Sequence, residues 1–117
     1  MNRSVILLVD DSEPARTLLQ VQIIAGLAPR SVDVVEADGV EGALQILSKI
    51  SVSVIVSDVR MPGISGIEFL NLSKANYPDI PFILVSTDAT SFSDPGAIKL
   101  ADGHCDKNDH VQIIELV

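Results

Sequence analysis

The sequence predicts a single α/β domain over residues 1–117, with one doubly wound, five-stranded parallel sheet in the order 2-1-3-4-5 and helices on both faces. Three observations lead there. Short apolar runs such as Val5-Ile6-Leu7-Leu8-Val9 are bounded by polar residues, the pattern of strands buried on both faces. Segments with helical apolar spacing separate these runs, so strand and helix alternate. The composition, 47% hydrophobic but only 3% aromatic with no Trp in 117 residues, supplies a Val, Ile, Leu and Ala core sized for one domain.

The elements follow in order. Strand 1 is Val5 to Val9, and Ser12 caps helix 1, which has Glu13 and Pro14 in its first turn and runs towards Gly26. Strand 2 spans Val32 to Glu36, and helix 2 follows the Gly39 turn, with Val40, Ala43, Leu44, Leu47 and Ile50 at helical spacing. Val52 to Ser57 is a β-branched strand ending at Asp58, and a Pro-Gly loop leads into helix 3 from Ile67 to Ala75. Strand 4 is Pro81 to Ser86. Thr87 to Asp94 reads as a loop, Asp94-Pro95-Gly96 caps a short helix 4, and His104 to Lys107 is a weak strand 5. Asn108 or Asp109 caps a last helix from Val111 that is expected to be cut short at Val117, with His110 facing solvent.

Charge narrows the function classes. A net charge of −8 opposes nucleic-acid binding by this domain, because phosphate contacts need clustered Lys and Arg. The single cysteine, Cys105, cannot form an intrachain disulfide and reads as a small buried hydrophobe in a reducing compartment. The Val5–Val9 run is too short for a signal-peptide core or a membrane span, so the chain reads as cytoplasmic, without membrane contact.

In doubly wound sheets ligands bind beyond the carboxyl ends of the strands, where the winding reverses, here between strands 1 and 3. Asp10 and Asp11 follow strand 1 and Asp58 follows strand 3, so the topology brings three carboxylates to that point. An Asp-Asp pair by itself is an ordinary solvated turn; its coincidence with Asp58 is the signal. Three adjacent carboxylates repel and call for a cation, and Mg²⁺, a hard ion with oxygen ligands, fits. Ser86 and Lys107 close strands 4 and 5 on the same rim, where a hydroxyl and an ammonium suit a phosphoryl group.

Together these residues resemble the receiver domains of bacterial two-component response regulators, which have a flavodoxin-like fold. The likeness spans nearly the whole chain. It rests on Asp10-Asp11, Ser57-Asp58, Met61-Pro62-Gly63 followed by Gly66-Ile67-Glu68, Ser86, and the run ADGHCDKN that holds Lys107. The resemblance implies that Asp58 accepts a phosphoryl group from a phosphohistidine, in a domain that catalyses its own phosphorylation and dephosphorylation without being a conventional enzyme. It implies Mg²⁺ held by Asp11, Asp58 and the main-chain carbonyl of Arg60, with Asp10 placing a metal-bound water, and Lys107 and Ser86 on the phosphoryl oxygens. It further implies a switch, in which Ser86 moves towards the phosphoryl group and the residue at position 104 turns inward. The implied partners are a sensor histidine kinase or phosphotransfer protein, an effector domain or output protein acting through the helix 4 to helix 5 face, and a second copy in a homodimer.

The chain departs from the family pattern on one side. His104 stands where the family has an aromatic residue, Thr87 where a small residue is usual, and Asn108 where a proline usually follows the lysine. Arg60 and Asp88 flank the expected site and are placed to pair over it. Two other readings remain. A phosphorylation-independent interaction module would suit the departures, whereas an aspartyl phosphohydrolase would need an acid two residues after the nucleophile, where Arg60 stands.

Overall fold

The computed structural model describes residues 4–117, apart from the side chains of Ala89 and His110. The chain alternates β1 (Ser4–Val9), α1 (Glu13–Leu27), β2 (Val32–Ala37), α2 (Val40–Lys49), β3 (Val54–Asp58), α3 (Gly66–Asn76), β4 (Phe82–Ser86), a 3₁₀ turn (Ala89–Phe92), α4 (Pro95–Leu100), β5 (Gly103–Asp106) and α5 (His110–Leu116). The strands form one parallel sheet in the expected order, β2-β1-β3-β4-β5.

Strand alternation divides the core into two layers, because neighbouring side chains point to opposite faces. Leu7, Val9, Ile55, Phe82 and Leu84 meet Val40, Ala43 and Leu47 of α2, Phe69 and Leu70 of α3, and Ala97 of α4. Ile6, Leu8, Val54, Val56, Ile83, Val85 and Cys105 meet Leu19, Ile23 and Leu27 of α1 and Ile113 of α5. Both faces are thus covered, which explains why the strands are continuously apolar. Burial, reinforced by Asp109 and Asp106, pushes the Cys105 thiol up to about 11, so it packs as an apolar group.

Helix starts follow side-chain capping. Ser12 accepts from the Ala15 N–H at 3.3 Å, Ser65 from Glu68 at 3.2 Å, Asp94 from Gly96 and Ala97 at 2.9 and 3.2 Å, and Asp109 from Gln112 at 3.1 Å. Asp109, not Asn108, is therefore the last cap.

Several expected boundaries shift. Strand 5 occupies Gly103–Asp106, one residue earlier than His104 to Lys107, so Lys107 lies just past the strand rather than closing it. Gly103 is admitted because pairing with Ile83 of β4 outweighs its poor strand propensity. Asp58 is the last residue of β3 rather than the one after it, while Val52 is buried ahead of the strand. The Thr87 to Asp94 loop contains a 3₁₀ turn nucleated by Asp88, whose carboxylate accepts from the Thr90 N–H at 2.9 Å. The expectation for the His110 side chain falls outside the described residues.

Candidate phosphoacceptor site

Strand ends build the site. β1 pairs with β3 up to Val9 and Ser57, so Asp10, just past β1, and Asp58, the last residue of β3, emerge together, and carboxylate oxygens of Asp10, Asp11 and Asp58 all lie within 4.8 Å of one another. Asp10 and Asp58 are 1% and 6% exposed, whereas Asp11 is open to solvent. Lys107 reaches in from beyond β5, its Nζ 2.7 Å from Asp10 Oδ2 and 3.2 Å from Asp58 Oδ2. A backbone hydrogen bond from the Lys107 N–H to the Ser86 carbonyl, 3.0 Å, fixes where that side chain starts.

The electrostatics follow from this packing. Burial raises the Asp58 carboxyl above its ordinary value; Asp10 and Asp11 add to the rise, and Lys107 offsets only part of it. Burial would lower the Lys107 ammonium, but the two carboxylates outweigh it and hold Lys107 above its ordinary value. Asp10 Oδ1 accepts from the Ser12 N–H at 2.9 Å, while the buried Asp10 Oδ2 has the Lys107 ammonium at 2.7 Å as its partner. Two or more anions share one cation here, which leaves room for a second positive charge.

Ser86 ends β4 and is buried, 3% exposed. Its hydroxyl donates to Ser91 Oγ at 3.0 Å and accepts from the Asp88 N–H at 3.1 Å. Arg60 sits on the rim, and its Nη2 pairs with Asp88 Oδ2 at 2.9 Å, as the sequence placed it to do. Thr87 is exposed at the mouth, and the exposed His104 ring stacks on Phe92 with centroids 4.9 Å apart. After β5 the loop is closed by Asp106, which accepts from the Asn108 N–H at 2.8 Å, so an Asx turn orders the segment without a proline. Among the described residues the cis peptide bond is Ala28-Pro29.

Two contributors escaped sequence reasoning. Arg16 of α1 donates from Nη1 to the Asp10 carbonyl at 2.7 Å and pairs through Nε with Glu36 at 3.2 Å, tying α1 to the ends of β1 and β2. Its signal was a basic residue in a helix's first turn, where the dipole disfavours positive charge and some other partner must compensate. Ser91 gave no comparable sign.

The family model for the response regulator receiver domain matches residues 6–114. The chain belongs to the response regulator receiver domain family. This receiver is 33% identical over 81 residues to the response regulator protein FleR of Pseudomonas aeruginosa, covering 69% of this chain and 16% of FleR. It is 28% identical over 121 residues to the DNA-binding transcriptional regulator NtrC of Escherichia coli, covering 98% of this chain and 25% of NtrC. The receiver thus spans a quarter or less of the length of these two curated relatives. Among solved structures, response regulator TrrA of Thermotoga maritima in complex with Mg²⁺-BeF superposes with a TM-score of 0.84 at 25% identity, over 97% of this chain and 99% of that one. No helix among the described residues is long and apolar enough to cross a membrane.

Proposed function

We propose that Asp58 is the phosphoryl acceptor of this receiver, taking the group from a phosphohistidine of a sensor histidine kinase or phosphotransfer protein. The observation that carries this reading is a buried carboxylate with Lys107 at 3.2 Å and two further carboxylates alongside, at the reversal point of the sheet. An Asp58 oxygen forms the new O–P bond as the P–N bond breaks, and the leaving imidazole nitrogen keeps the electron pair and takes up a proton. Lys107 offsets charge on a phosphoryl oxygen, and the Ser86 hydroxyl donates to another once it leaves Ser91.

The donor set suits Mg²⁺, being all oxygen, crowded and under-neutralised, with three carboxylates gathered around the single Lys107 ammonium. Asp11, Asp58 and the Arg60 carbonyl would hold the ion and Asp10 would place one of its waters. When bound, the ion supplies positive charge to the phosphoryl oxygens. In this reading the phosphorylated domain works in the cytoplasm and signals to an effector domain or output protein through the α4 to α5 face, and it pairs with a second copy.

Incubation with Mg²⁺ and acetyl phosphate tests this. The expected result by intact mass is one hydroxylamine-labile phosphate, absent in Asp58→Asn and without added Mg²⁺. A receiver that stays unmodified acts as an interaction module instead, and sustained phosphate release from many esters would mark a hydrolase.

A further inference from the structure

The chain between β4 and α4 is held by a small polar network centred on Ser91. Ser91 Oγ accepts from the Ser86 hydroxyl at 3.0 Å and from Arg60 Nε at 3.0 Å, which uses both its lone pairs. Arg60 Nη2 also donates to Thr90 Oγ1 at 3.2 Å and pairs with Asp88 Oδ2 at 2.9 Å, and Thr90 Oγ1 in turn donates to Asp88 Oδ1 at 2.6 Å. The 3₁₀ turn is thereby strapped to the residue two places after Asp58. The Ser86 hydroxyl can turn to another acceptor only by giving up its contact with Ser91.

The next residue along the turn, Phe92, carries the ring that stacks on His104, tilted by 48°. Phe92 is half-buried against the core layer that contains Phe82 and Leu84. Ser91 and Phe92 are consecutive residues of one four-residue turn, so a backbone movement of that turn displaces both contacts.

We propose that Ser91 is a positioning residue that latches the Ser86 hydroxyl in the resting receiver, and that release of this latch by an incoming phosphoryl group frees the 3₁₀ turn and the Phe92–His104 contact. The proposal rests on Asp58 being the acceptor. It assigns the first movement of the signal to Ser91 and Phe92, with His104 displaced by its stacking partner.

Titrating the full chain with beryllofluoride at fixed Mg²⁺, followed by the His104 ring resonances, tests the latch. Losing one competing neutral hydrogen bond should lower the half-saturating concentration in Ser91→Ala by about fivefold. Ser91→Thr, which keeps the hydroxyl, should titrate as the wild type does. The His104 resonances of ligand-free Ser91→Ala should already lie part-way towards the saturated wild-type positions. In a Ser86→Ala background the Ser91→Ala effect should vanish, since no hydroxyl remains to be held. Equal midpoints for wild type and Ser91→Ala, or a difference that persists without the Ser86 hydroxyl, overturn the latch while leaving the acceptor intact. A wild type that neither titrates nor takes phosphate from acetyl phosphate overturns the acceptor reading, and the latch with it. Should Ser91→Ala lose its folded amide spectrum, Ser91→Gly carries the same expectation.

Discussion

At Asp58 the cost of burial and the use of the residue are the same fact. A carboxyl whose folded value lies above its unfolded one contributes stability only while protonated; that contribution is full below the unfolded value and is lost as pH rises through the raised folded value. Asp58→Asn should therefore melt higher than the wild type at neutral pH without Mg²⁺, and the gap should close as the pH is lowered through that window, measured by thermal denaturation. Lys107 works with the opposite charge. Its raised value keeps its contribution present through neutral pH and loses it only under strong alkali. Lys107→Ala, which leaves Asp10 and Asp58 facing each other, should cost about 1–3 kcal/mol at neutral pH and less in acid, where the carboxyls protonate. At the rim, the Arg60–Asp88 pair is half open and adds little stability, so Arg60→Ala should leave the melting temperature nearly unchanged but alter the acyl-phosphate lifetime. An unchanged lifetime would remove water access as the role of that pair.

At the scale of elements, α3 approaches the site more closely than any side chain allows. A Cβ on Gly66 would collide with the Asp58 carbonyl oxygen and come within 2.8 Å of Val59 Cα, while the Gly66 N–H donates to the Val59 carbonyl at 2.9 Å. Gly66→Ala should lower stability by about 1–3 kcal/mol in denaturant unfolding, and it should slow acceptor phosphorylation because the atoms displaced are those of Asp58 itself. The capping residues Ser12 and Asp94 were legible in sequence because each helix start leaves N–H groups that a short polar side chain can reach, whereas the last cap was narrowed only to Asn108 or Asp109 until the structure chose Asp109. Strand 5 was less legible. Gly103, His104 and Asp106 carry no strand propensity of their own, and pairing with β4 decides their register. The Ser91 network was invisible for a similar reason, since serines in a loop bond wherever the fold brings a partner.

Across the whole molecule, 16 acidic against 8 basic residues, with three carboxylates converging, make the fold a reporter of cation binding. Mg²⁺ at about 100 times its dissociation constant should stabilise the receiver by about 2.7 kcal/mol, and Asp58→Asn by much less at equal ionic strength. Equal stabilisation of both would mean screening of the net charge rather than a site. By itself the sequence determined the alternation of strands and helices, the sheet order and the meeting of Asp10, Asp11 and Asp58, because apolar periodicity and crossover handedness are local or topological rules. Only the tertiary structure decided that Lys107 spans Asp10 and Asp58 from just past β5, that Arg16 ties α1 to the Asp10 carbonyl, and that Ser91 holds the Ser86 hydroxyl. Those contacts join residues far apart in the chain, and their ångström-scale distances depend on how the strands twist and the loops close.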